Sequence, residues 1–385
     1  MHAGEGRARE AVYVNARLVL DHELVRGSVL VRDGRIAAVD EGRAAPRGPG
    51  VLDLEGDYLL PGLVDVHTDN LERQFTPRHG VYWPSPMSAA MASDAMLHGA
   101  GVTTVLDSIC AEAFPEEHTR RRLFRDCIAG VAGGERLGLP RSRHLLHLRC
   151  ETADPRTPGI LGEYLDHPLV RLVSLMDHTP GQRQYRDERR FRQYYASEGW
   201  SDDEFALVVA RLKAEQARHA GPQRAAIVAR ARELRIPLAS HDDATAEHVR
   251  QAEAEGVAIS EFPTTLEAAR AAHQAGMDVV MGAPNIVLGG SHSGNVQAVE
   301  VFRSGALTVL ASDYVPASLL LAPFALHVAE GAPLAECVRL VAANPARMLG
   351  LEDRGRIAPG LLADLLRVRL VEGRPVVLGV AVGAR

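Results

Sequence analysis

His67 and Asp69 stand one residue apart at the end of the run LLPGLVDVHTDN. On a strand, residues i and i+2 leave the same face, so imidazole and carboxylate project together. That pair is half a site for a divalent cation; the alternative is a His and an Asp that cap a neighbouring helix. Other apolar runs end in the same chemistry. Glu151 follows RHLLHLRC, Asp177 and His178 follow VRLVSLM, and His241, Asp242 and Asp243 follow IPLAS. Glu261 follows VAIS, Asn285 follows DVVMGAP and Asp313 follows LTVLAS. Imidazole and carboxylate without thiolate suit zinc, manganese, iron or magnesium. Helix caps give no reason to gather His and Asp at strand after strand, so these groups are expected to share one rim.

The elements that must position them follow from the rhythm of the chain. From Leu63 onward, eight near-continuous apolar runs alternate with helix-like stretches such as DDEFALVVARLKAEQARHAG and GPQRAAIVARARELR. Strands buried on both faces read this way, so the fold class expected is α/β, a (β/α)8 TIM-like barrel. A doubly wound open sheet is the competitor; ligand-type residues at nearly every strand end favour the barrel. Before Leu63 the pattern is short β runs and turns, with Asp33-Gly34 as a hairpin signal. The β pattern returns in RGRIAPGLLADLLRVRL and RPVVLGVAVGAR. Residues 1–60 and 350–385 are therefore expected to form a small β-sandwich domain, and residues 61–349 the barrel.

Composition narrows the function classes. The 385 residues carry a net charge of −6 and no basic run, which argues against a nucleic-acid footprint. Almost all basic residues are arginine; Lys213 is the one lysine. Four cysteines without CxxC spacing indicate neither a zinc knuckle nor a disulfide framework. No stretch of about 18 apolar residues occurs and the first residues hold no apolar core, so the expectation is a cytoplasmic protein with no membrane partner.

The run PGLVDVHTDN, the strand ending in Asp313, the segment NPARMLGLEDRGRIAPGLLADLL and the split β domain resemble the amidohydrolase superfamily of metal-dependent hydrolases. Within it, HTDNLERQFTPRHGVYWP, DHTPGQRQY, SHDDAT, EFPTTLEAA, GAPNIVLGGSHSGN and ASDYVP are similar to the PhnM family of phosphonate breakdown. The superfamily's usual first-strand motif is HxH, where this chain has Asp69 as the second ligand. Many members bridge two metals with a carboxylated lysine; Lys213 lies on a predicted helix, so Glu151 is the substitute bridge. The later histidines map to His241, but the sixth strand ends in Glu261 rather than His. His178 is therefore the expected remaining imidazole, with Glu261 in reserve.

The resemblance implies a site of two divalent ions held by His67, Asp69, Glu151, His178, His241 and Asp313, with Asp313 as general base and His241 also catalytic. It implies hydrolysis of α-D-ribose 1-methylphosphonate 5-triphosphate to the 5-phosphate and pyrophosphate. The competing readings are a deacetylase or deaminase acting on a C–N bond, and a barrel that serves as an assembly scaffold. A triphosphate needs local cations. Arg183 and Arg186 in TPGQRQYRDERRFRQYY read as a cationic lid, and His292 in LGGSHSGN as part of a phosphate cradle. Asn285 and Arg149 complete the expected substrate contacts. The expected partners are a phosphorylated sugar substrate, a second copy of the chain as a homo-oligomeric dimer, and other phosphonate-pathway enzymes.

Overall fold

The computed structural model describes residues 10–42, 48, 50–78, 80–162, 164–291 and 293–383. Five short strands open the chain: β1 (Glu10–Val19), β2 (Leu24–Arg32), β3 (Arg35–Asp40), β4 (Val51–Asp53) and β5 (Tyr58–Pro61). Eight more alternate with helices: β6 (Leu63–Thr68), β7 (Val102–Ala111), β8 (Arg143–Glu151), β9 (Val170–Met176), β10 (Leu238–His241), β11 (Ile259–Glu261), β12 (Asp278–Gly282) and β13 (Val309–Ala311). Strands β14 (Leu365–Val371) and β15 (Arg374–Ala381) follow.

The terminal strands make one seven-stranded sheet, β15-β14-β5-β1-β2-β3, with β4 beside β1. Asp33 and Gly34 both take left-handed φ, 50° and 74°, as a two-residue type I′ hairpin requires. The β3 edge curls back onto the chain ahead of β14, where Ile36 N–H donates to Leu361 O and Ala363 N–H to Gly34 O. Leu18, Val29, Ile36, Leu59 and Leu365 pack within that curl as a separate core.

Strands β6 to β13 form the second sheet in sequential, parallel order. Its two ends meet, since Asp313 N–H donates to His67 O and Asp69 N–H to Asp313 O, both at 2.9 Å. The sheet is thus an (β/α)8 barrel. Val66, Leu106, Leu145, Ile259, Val280 and Val309 fill its interior. The opposite faces of the same strands pack on the helices in a larger core, which is why each strand is apolar without alternation. The two helical stretches expected around Gly221-Pro222 are instead one helix, Asp202–Leu234. Pro222 is exposed, so the carbonyl it leaves without a donor faces water and the helix runs through.

Candidate active site

At the barrel's carboxyl end the chain leaves the sheet by a repeated device. Asp242, Phe262 and Asp313 have φ of 57°, 54° and 54°, and each N–H donates at 2.9 Å to the next strand: to Glu261 O, Val280 O and His67 O. The hydrogen bond holds a backbone conformation that costs a non-glycine residue about 1–3 kcal/mol. It brings the adjacent His241 and Asp242 to one cavity, and Phe262 with them, while Glu261 lies behind.

Four groups of ligand atoms gather there among the described residues: His67, Asp69 and Asp313; His178, His241 and Asp242; Glu112, Glu151 and His178; and the fully buried His67, His147 and Glu261. Within each the atoms lie within 4.8 Å of one another, and the first two face the cavity together. His67 Nε2 is 3.4 Å from Asp69 Oδ1, and His241 Nε2 is 3.3 Å from Asp242 Oδ2. The other nitrogen of every ring meets a carboxylate. Glu261 Oε1 is 2.7 Å from His67 Nδ1, Glu261 Oε2 is 2.6 Å from His241 Nδ1, and Glu151 Oε2 is 3.0 Å from His178 Nδ1. The set fits a metal on its own evidence: His67 Nε2 and Asp242 Oδ2 are buried and make no hydrogen bond, atoms that a cation would satisfy.

Several expected roles are redistributed. Glu151, read as a bridge, accepts from the ring and backbone N–H of His178 and shares a ligand group with it and Glu112. Glu261, held in reserve as a ligand, lies behind the rings of His67 and His241 and gathers with His67 and His147 in the fully buried group. Asp242, one of three ligand-type residues after IPLAS, joins a ligand group, and Asp243 does not. The Arg149 guanidinium ties the two cavity-facing groups together, its Nη1 donating to Asp69 Oδ1 at 2.9 Å and its Nη2 to His241 Nε2 at 3.4 Å.

Those two groups form the floor of a cavity of about 450 Å³, also lined by Arg73, Arg149, Tyr185, Tyr194, Tyr195, Tyr314, Asn285 and Asn295. Residues 179–195 cover it with tyrosines rather than the expected arginines. Arg183 is buried and bound to Asp243 Oδ1 at 2.5 Å and His241 O at 3.0 Å; Arg186 is exposed and does not line the cavity. Arg189, Arg190 and Arg192 bind Asp187, Ser293 O and Asp202. Asn285 lines the cavity while its amide ties Val296 O and Ala298 N. His292 lies outside the described residues. The sequence analysis did not single out Arg73; its place four residues after Asp69, in the short helix Asn70–Phe75 that Asp69 precedes, was the available signal.

Charge in the cavity is divided. Burial and then the Asp69 charge push the Asp313 carboxyl up, whereas the Arg149 guanidinium holds Asp69 below the usual carboxylate range against its burial. One acid is thus ready to carry a proton and another to stay ionised.

The Amidohydrolase family profile matches residues 58–383. The chain is 44% identical over 357 residues to the alpha-D-ribose 1-methylphosphonate 5-triphosphate diphosphatase of Escherichia coli K12, covering 91% of this chain and 93% of that protein. It is 24% identical to an adenine deaminase of Desulfatibacillum aliphaticivorans over 93% of this chain and 55% of that one. In fold it is similar to the N-acetyl-D-glucosamine-6-phosphate deacetylase of Mycobacterium smegmatis, with TM-score 0.63 and 17% identity over 96% of this chain and 97% of that one.

Proposed function

This chain belongs to the amidohydrolase family, and from that premise we propose that it is a metal-dependent diphosphatase. It cleaves the α–β phosphoanhydride of α-D-ribose 1-methylphosphonate 5-triphosphate, in phosphonate breakdown, to the 5-phosphate and pyrophosphate. The observation that carries this reading is two ligand groups on the floor of one cavity that also holds Arg73 and Arg149. The relative identical at 44% over nearly its whole length supports the substrate.

His67, Asp69 and Asp313 would hold one divalent ion, of zinc, manganese, iron or magnesium, and His178, His241 and Asp242 a second. Bound there, the ions supply a water of lowered pKa and stabilise charge on the phosphoryl oxygens. Asp313, its carboxyl raised by burial and Asp69, accepts the proton of the attacking water at a carboxylate oxygen. The new bond forms at the α-phosphorus, the bond to the bridging oxygen breaks, and pyrophosphate leaves with that oxygen. Arg73 and Arg149, the cations of the cavity lining, bind phosphate oxygens, Arg149 with the hydrogens that Asp69 and His241 leave free. Tyr185, Tyr194 and Tyr195 close over the cavity and keep bulk water from the anhydride.

The test is product analysis with the ribosyl triphosphate, after chelation and again after metal is restored. Pyrophosphate that appears only with metal is the expected result. Ammonia or acetate from C–N substrates, with no pyrophosphate, would replace this reading with a deaminase or deacetylase.

A further inference from the structure

Glu261 is 1% exposed and lies behind the two ligand groups that face the cavity, not in the cavity lining. Its oxygens meet three polar partners: His67 Nδ1 on Oε1, and His241 Nδ1 with the Ser174 hydroxyl, at 2.7 Å, on Oε2. Ser174 is itself held by His147, which reaches Ser108 on its other nitrogen. A carboxylate only accepts, so each ring nitrogen that faces it must carry hydrogen. A neutral imidazole has a single N–H, and the lone pair of each ring is then left on Nε2, toward the cavity. Arg149 gives independent support, since its Nη2 donates to His241 Nε2. The two rings stand 5.9 Å apart and nearly parallel, with Phe262 packed edgewise against both.

We propose that Glu261 is a positioning residue shared by both cation sites: one carboxylate sets the tautomer of His67 and of His241, so the two sites are prepared together. Glu151 is the contrast, a carboxylate that faces one ring, His178. This rests on the metal reading given above.

Glu261→Gln keeps the shape but offers one acceptor and one donor, so one of the two rings must put its hydrogen on Nε2 and lose its ligand lone pair. Glu261→Ala removes both acceptors. Two readouts apply to the zinc-loaded protein: affinity at each site by competition with a chromophoric chelator, and proton–nitrogen NMR of 15N-histidine-labelled protein. In the parent, carboxylate-bound Nδ1–H protons of His67 and His241 are expected far downfield. Glu261→Gln should lose one of them and weaken one site about 10- to 100-fold, and Glu261→Ala should weaken both by that factor. Glu151→Gln should weaken only the site that includes His178. Two intact sites and both signals in Glu261→Gln overturn the proposal, as does a zinc-loaded structure with a Glu261 oxygen within about 2.2 Å of an ion. A parent that binds no divalent cation at all overturns the metal reading itself, and this inference with it.

Discussion

Each imidazole at the barrel mouth turns one nitrogen to a buried carboxylate and the other to the cavity, which divides the carboxylates into orienting ones, Glu261 and Glu151, and cavity ones, Asp69, Asp242 and Asp313. Asp313→Asn keeps a carbonyl oxygen for the cation but no base, so it should retain metal, measured by elemental analysis, yet lower turnover by at least about a hundredfold. Near-normal turnover would remove it as the base. The arginines separate in the same way. Arg73→Ala removes a cation that lines the cavity and should raise KM for the triphosphate about tenfold, the scale of a charge-assisted hydrogen bond. Arg183→Ala should instead leave KM near the parent value and cost about 3–5 kcal/mol in chemical denaturation, because it strands the buried Asp243. The reverse pattern would restore Arg183 to the lid. The sequence revealed the His67–Asp69 pair because a strand's period of two puts both on one face. It offered Asp242 as a candidate but not its pairing with the adjacent His241, because a left-handed turn directly after His241 overrides that period. The Arg183 partner was equally hidden, being 60 residues away in sequence.

At the level of elements, the eight apolar runs were legible because each strand is buried on both sides, and β8 begins and ends where its run does. The long helix was less so, since Gly-Pro is a stop signal unless the freed carbonyl reaches water. The tyrosine-lined cover was misread because arginine charge is visible in sequence while its burial and pairing are not. One tie between elements has a pH consequence. His144 on β8 meets Asp107 on β7 at 2.6 Å and Asp94, on the helix Pro86–Gly99, at 3.3 Å. Burial opposes charge on this ring, but the Asp107 and Asp94 carboxylates win and raise it to about 10. Above the ordinary imidazole value of about 6.5 the folded chain holds a proton that the unfolded chain has released, so stability falls as pH rises. The contribution is whole below about pH 6.5 and gone once pH passes about 10. Denaturation midpoints should therefore fall more steeply between pH 7 and 10 in the parent than in His144→Gln, by up to about 1.4 kcal/mol per pH unit. Parallel curves would show that the ring does not hold its proton.

Over the whole molecule, one sheet built from both terminal regions and one closed barrel account for the fold, and among the described residues no helix is long and apolar enough to cross a membrane. The barrel closes through Asp313 and His67, so the bond that completes the cylinder also brings together members of a ligand group. The seam thus holds one ligand group directly, and what remains to be read is which phosphorus the site attacks. Hydrolysis of the ribosyl triphosphate in 18O-water, followed by 31P NMR or mass spectrometry, answers this directly. One 18O atom in the ribosyl 5-phosphate and none in the pyrophosphate is the expected result. Label in pyrophosphate, or in orthophosphate cut from the terminal position, would contradict attack at the α-phosphorus.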